Sequence, residues 1–325
     1  MISLALSGSA SPASLCLLIV VQSPLVLVFA QKGFPRARFF EVLSTIGCIC
    51  AVLGVSQFAG QFIIGSKLAF FLDTSLPQSF IAENYNLMNP LYYGATAFKS
   101  NGVFFLEPSF FCQFLAIVFI SELNNKGRLW RLALLGAGIV SSYSGTGLTT
   151  LMLYVPFHVI MTGQLRILIF GALVALAMFL FSDTLQLDAI TRRIAEFSDS
   201  QSSGSARFTS MLHILKDVVL ANDTGFLFGR GPGTVQETFA QQAFLAFDPT
   251  WGKVIYEYGL VGACLYIGFF WTAVIRSTGN LRFALSYTYF LLGGYLLNPS
   301  VVMQLAVLAV WLSDPRRECR RENQT

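Results

Sequence analysis

The strongest constraint on this chain is where charge is missing: its long apolar runs carry no Asp, Glu, Lys or Arg at their middles. Such runs can be drawn at roughly 13–30, 40–65, 103–121, 129–143, 147–163, 165–182, 252–275, 283–298 and 300–313. A hydrocarbon core about 30 Å thick takes about 20 apolar residues per helix, so each run reads as a candidate membrane span. The expected fold is an all-α polytopic membrane protein, a bundle of about nine transmembrane helices with a large, partly helical periplasmic loop. Composition points the same way. Of 325 residues, 54% are hydrophobic and only 12% are charged, about half the usual charged share. So few charges cannot cover a water-soluble surface, and so apolar a chain is not disordered.

Basic residues orient the bundle. Lys32, Arg36 and Arg38, then Lys126, Arg128 and Arg131, then Arg166, Arg276 and Arg282, and the tail Arg316, Arg317, Arg320 and Arg321 fall in short connections on one side. That side is the expected cytoplasmic face, with the C-terminus inside and the N-terminus outside. Two longer connections, about 66–102 and 183–251, then lie outside. The expected division is 1–182 as an N-terminal bundle, 183–251 as the large loop and 252–325 as C-terminal helices with a basic tail. No basic stretch precedes the run from Leu15 to Ala30, so it does not read as a cleaved leader. An odd number of spans with an outside start suggests further helices before residue 1.

The net charge of +4 is spread through these short clusters and does not suggest a nucleic-acid partner. Cys16, Cys48, Cys50, Cys112, Cys264 and Cys319 imply neither a disulfide framework nor a metal site. Proton-coupled carriers place ionisable groups at mid-membrane, so their lack here turns attention to the outer loops.

From Ala206 the large loop takes a helical period, with Phe208, Met211, Leu212, Leu215, Val218 and Val219 on one face and His213 opposite. Arg207 falls at the border of that face. Next comes Gly229-Arg230-Gly231-Pro232-Gly233, whose glycines allow tight turns with amides free to face an anion. Thr234 and Glu237 have capping-box spacing, which predicts a helix from about Val235. Without Gly-Lys-Ser/Thr this is not a P-loop. An ordinary turn before an amphipathic helix explains the same residues.

These segments, in this order, carry a resemblance. Ala206-Arg207-Phe208, the Gly229–Gly233 turn and Glu257-Tyr258-Gly259-Leu260-Val261-Gly262 are similar to the outer loop and following helix of the bacterial O-antigen polymerase and ligase superfamily. Upstream, Lys99-Ser100-Asn101-Gly102 through Glu107-Pro108-Ser109 resembles the "R..G.F.EPS" segment of its exopolysaccharide polymerases. Ser144-Gly145-Thr146-Gly147 stands in the place of an "SRxG"-like turn, and Gln57 resembles a glutamine of the preceding span. Ligases carry a His-Asn pair where this chain has Asp248 and Pro249, which favours a polymerase. Lys99 replaces the usual arginine, keeping charge but losing the planar fork.

The resemblance implies glycan transfer from an undecaprenyl-diphosphate carrier at the outer leaflet, with no metal, nucleotide or other cofactor. The partners would be lipid-linked oligosaccharide repeat units, membrane lipids, a chain-length regulator and a flippase. Arg207, Arg230 and Lys99, with Gly229, Gly231 and Gly233, are the candidates to bind the diphosphate; Asp248 and Glu107 are the candidate bases. Glu257 is expected to hold the loop to the bundle. An O-antigen ligase and a non-catalytic glycolipid flippase are the alternatives.

Overall fold

The computed structural model describes residues 10–27, 35–75, 77, 88–92, 94–125, 127–165, 167, 171, 203–219, 223–240, 248–274 and 281–311. Every longer element among them is helical, beside one isolated antiparallel bridge between Pro90 and Phe98. In chain order the helices used below are α1 (Pro12–Gln22), α2 (Arg36–Ile63), α3 (Pro108–Asn125), α4 (Leu129–Ser141), α5 (Gly145–Thr162), α6 (Ser203–Ile214), α7 (Asp223–Phe228), α8 (Val235–Ala240), α9 (Thr250–Val274), α10 (Leu281–Leu291) and α11 (Pro299–Leu305). The all-α expectation therefore holds for the described residues.

Among them, α2 and α9 are the two helices long and apolar enough to cross a membrane. Other expected spans are shorter or broken, for local reasons. The first is interrupted at Ser23 because Pro24 brings no N–H, and the helical turn Pro24–Leu27 follows. The third loses its first residues because Gly102 and Val103 sit at φ 67° and 70°, so α3 begins at Pro108. Proline suits a first helical turn, where its missing N–H is not needed. The eighth stops at Leu291 ahead of Gly293 and Gly294. Asn298 then caps α11, its Oδ1 accepting from the amides of Ser300 and Val301 at 3.1 and 3.2 Å. The run 165–182 lies almost wholly outside the described residues.

Contacts divide the chain into two compact units, 35–194 and a second made of 1–34 with 195–325. In the first, α2 to α5 approach closely because small residues face large ones. Gly47 lies against Val118, Gly54 against Phe111, Gly138 against Leu115 and Ala51, and Gly147 against Cys112, each with no room for a Cβ. Ala51, Phe111, Leu115, Val118, Leu135 and Ile139 form the core between them. At one end Arg131 reaches Glu41 at 2.7 Å and Glu122 at 3.5 Å, while Arg128 reaches Glu41 at 2.8 Å. Arg131, read from sequence as a connection charge, is thus a buried ion-pair residue.

In the second unit α1 packs with the C-terminal helices, although sequence order groups it with 1–182. Gln22 fixes it there, donating to the Leu296 carbonyl at 2.7 Å and to the Tyr289 hydroxyl at 3.0 Å. Met211, Ile214 and Leu215 of the α6 segment, which continues as the π-helical turn Leu215–Val219, bury against Val235 and Tyr256. Leu212 was expected on that face and is 57% exposed. The buried set follows i, i+3, i+4 from Met211, and Leu212 lies about 100° around the helix from it.

Candidate functional site

Glycine 259 breaks α9. Its φ of 66° and ψ of −169° are helical on neither axis, and such a conformation is essentially confined to glycine. The break frees the carbonyls of Tyr256 and Glu257, which accept from the amides of Arg230 and Gly231 at 2.9 and 3.0 Å. The Gly229–Gly233 turn is thereby docked onto the broken helix. Gly229 and Gly259 meet backbone to backbone: a Cβ on Gly229 would lie 2.5 Å from Glu257 C, and one on Gly259 would lie 2.5 Å from Gly229 N. On the far side, Ser11 N donates to Pro232 O at 2.8 Å, and the Thr234 hydroxyl donates to Gly231 O at 2.7 Å. Helix α8 then begins at Val235, as the capping spacing predicts.

Under this turn lies a line of charge. Lys253 Nζ is 2.8 Å from Asp248 Oδ2 and 3.7 Å from Glu257 Oε1. Lys253 and Glu257 are one turn apart on α9, and both are buried; Glu257 has no exposed surface. The amides of Gly233 and Val235 face the Glu257 carboxylate, yet the approach is looser than a hydrogen bond for both oxygens. Asp248 keeps 21% of its side chain exposed. Of the three, Asp248 is the group a ligand can touch, and Glu257 is placed to hold the turn.

This geometry gives the glycines a different job from a phosphate cradle. The amide of Gly229 donates to Gly225 O, those of Arg230 and Gly231 donate to α9, Pro232 has none, and that of Gly233 faces Glu257. The carboxyl group that the turn encloses is the chain's own, that of Glu257. Arg230 is the exposed cation of the turn. Arg207 lies on α6, with its side chain outside the described residues.

The 35–194 unit holds the other candidates. Gln57 of α2 accepts from Ser100 Oγ at 2.8 Å and Asn101 N at 3.1 Å, and donates to Asn101 Oδ1 at 2.9 Å. One turn later Gln61 accepts from Phe98 N and donates to Phe98 O, at 2.8 and 3.0 Å. Ser100 N donates to Ser141 O at 3.1 Å. Beyond it, Thr146 Oγ1 donates to Ser109 O at 3.2 Å and Cys112 Sγ to Ser144 O at 3.3 Å. Gln57, the 99–109 segment and the 144–147 turn are thus neighbours. Strain accompanies them: Val103 and Tyr143, both non-glycine, have φ of 70° and 45°.

Lys99 is only 8% exposed in this knot. Glu107 is partly exposed, accepts from Ser109 Oγ at 2.9 Å, and follows Phe104 and Leu106, which are 72% and 41% exposed. Lys99 and Glu107 therefore belong to one unit, and Arg207, Arg230, Asp248 and Glu257 to the other.

Sequence reasoning passed over three groups that matter. Lys253 stands four residues before Glu257, a spacing that faces both along one helix side. Gln61 repeats Gln57 at the same spacing. Glu122 sits at the end of an apolar run, and the charge itself was its signal.

The Gln57 amide offers a direct test of the knot. Gln57→Ala removes the acceptor of the Ser100 hydroxyl and of the Asn101 amide, and one donor to Asn101 Oδ1, a loss of about 2 kcal/mol. Thermal unfolding in detergent should show a clear fall in Tm, whereas Lys67→Ala, at an exposed position, should change stability by under about 0.5 kcal/mol.

No protein-family model, curated protein or solved structure matches this chain.

Proposed function

We propose that the chain is a polysaccharide polymerase of the bacterial inner membrane, built as a bundle of about nine spans. It would join polyprenyl-diphosphate-linked repeat units at the outer leaflet, for an exopolysaccharide or O-antigen. One observation carries most of the support: the three pieces of the polymerase-like pattern in the 35–194 unit, separated in sequence, are joined by hydrogen bonds, Gln57 to Ser100 and Asn101, and Thr146 to Ser109. A chance likeness gives no reason for its pieces to be neighbours.

The chemistry follows from the charges available. The acceptor hydroxyl attacks the anomeric carbon of the donor sugar; the new C–O bond forms as the bond to the carrier phosphate breaks. The leaving polyprenyl diphosphate takes the electron pair, and cations stabilise it. Arg207 and Arg230 are the groups assigned to that task. The acceptor's proton passes to a carboxylate within reach of solvent, Asp248 or Glu107. Glu257 keeps its structural role under the glycine turn.

Arg207→Ala and Arg230→Ala should each slow chain extension by about 10²-fold. A gel of surface glycan from cells carrying either variant should show single capped repeats in place of the long ladder. A full wild-type ladder from both variants overturns the cation mechanism. Carrier-linked units accumulating on the cytoplasmic side would instead identify a flippase.

A further inference from the structure

A buried lysine needs a reason. Lys253 is 7% exposed, and an ammonium is costly to bury unless it is paired. Two carboxyl groups hold it, Asp248 Oδ2 at 2.8 Å on one side and Glu257 Oε1 at 3.7 Å on the other. Glu257 is fully buried, whereas Asp248 keeps 21% of its side chain exposed. The lysine therefore joins a fixed interior group to the one carboxylate of the three that meets solvent.

The two oxygens of Asp248 are used differently. Oδ2 accepts from Lys253 Nζ at 2.8 Å and from Gln236 Nε2 of α8 at 3.4 Å. Among the described residues no donor reaches Oδ1. That oxygen lies beside Gly294, where a Cβ would come 3.0 Å from Oδ1 and 2.9 Å from Asp248 O. Gly294 is itself exposed. The turn that carries it is pinned to the start of α9: Gly293 O accepts from Thr250 N and Oγ1 at 3.0 and 3.1 Å, and Tyr295 N donates to Thr250 Oγ1 at 3.2 Å. A missing side chain at a fixed place leaves the approach to Oδ1 open.

We propose that Lys253 is the positioning residue of the acceptor site: by holding Oδ2 it presents Oδ1 of Asp248 beside Gly294 to the acceptor hydroxyl. The inference rests on the polymerase reading above, and it selects Asp248 over Glu107 as the proton acceptor. In that step the acceptor's O–H bond breaks and an Oδ1–H bond forms, while the hydroxyl's electron pair goes to the anomeric carbon. Lys253 keeps its proton and touches no substrate. Its contribution is geometric, and a displacement of about 1 Å can cost a reaction about 10²-fold.

The test is chain extension by the full-length protein in detergent, fed with lipid-linked oligosaccharide extracted from the producing cells and read as kcat and KM. Asp248→Asn should lower kcat by about 10²-fold or more. Lys253→Met should lower kcat by about 10²-fold and leave KM unchanged. The double variant should be no slower than Asp248→Asn alone, because the lysine acts through that carboxylate. Gly294→Ala keeps all three charged groups and covers Oδ1, so it should slow extension by roughly 10-fold. Gly268→Ala, whose Cβ meets nothing within 4 Å, should keep the wild-type rate. A wild-type kcat in Lys253→Met, or a double variant far slower than Asp248→Asn, overturns the positioning role. If Lys253→Met melts too early to assay, Gly294→Ala decides, and a wild-type rate there overturns the site. In each of these cases Arg207→Ala and Arg230→Ala remain slow. If those two arginine variants extend chains at the wild-type rate, the polymerase reading itself fails and this inference falls with it.

Discussion

Gly259→Ala should destabilise the 195–325 unit by about 3 kcal/mol or more. Two independent penalties act at this one position. A Cβ must adopt φ 66° with ψ −169°, a region that costs a non-glycine residue about 1–3 kcal/mol. It must also displace backbone, since it would lie 2.5 Å from Gly229 N and from the carbonyl of Leu227. Neither neighbour is a side chain that can rotate away. Relieving the clash undocks the Gly229–Gly233 turn, and with it the two hydrogen bonds to Tyr256 O and Glu257 O. The carboxylate of Glu257 would then lose the amides that face it. Gly268→Ala in the same helix is the control: nothing lies within 4 Å of the added Cβ, and alanine is the better helix former by about 1 kcal/mol. Tryptophan fluorescence melting of the two variants in detergent should therefore move in opposite directions. If Gly259→Ala melts with the wild type, the docked turn is not the native geometry.

That contrast also shows what a one-dimensional reading can reach. The Gly229–Gly233 stretch is legible as a turn, because glycine spacing is local chemistry. Which group satisfies its amides is not legible, since the acceptors lie 26 residues on, at Tyr256 and Glu257. A free-amide reading fits an external anion as well as an internal one. The helix start at Val235 is legible for the same local reason as the turn. Helices α2 and α9 follow from unbroken apolar runs, whereas the expected spans at 103–121 and 283–298 are cut by backbone features at Gly102, Val103 and Gly293–Gly294 that hydropathy does not weigh. Among the candidate site residues, Lys99 and Glu107 share a segment by sequence. Their proximity to the 144–147 turn depends on how α3 and α5 pack. Asp248 and Glu257 were singled out separately, and the lysine that connects them is visible only once α9 is wound.

Arg131 makes the same point with a measurable consequence. Counted as a connection charge, it should tolerate replacement; placed where it is, it should not. Its side chain is 8% exposed, and it is the guanidinium within 3.5 Å of Glu122, itself 2% exposed. Removing the cation leaves a carboxylate in an apolar interior with the amide of Arg128, at 3.2 Å, as its remaining described donor. Breaking one side of a buried pair costs about 3–5 kcal/mol, so Arg131→Met, which keeps the apolar stem, should melt far below the wild type. Arg128→Gln removes a guanidinium that is 31% exposed from Glu41, and exposed pairs of this kind contribute about 1 kcal/mol or less. The decisive variant is the double one. Arg131→Met with Glu122→Gln removes both charges, so most of the lost stability should return, and the coupling between the two sites should exceed about 1 kcal/mol. Equal melting of the single and double variants would mean that Glu122 is not held as a buried anion, and that the cation at position 131 serves Glu41 alone.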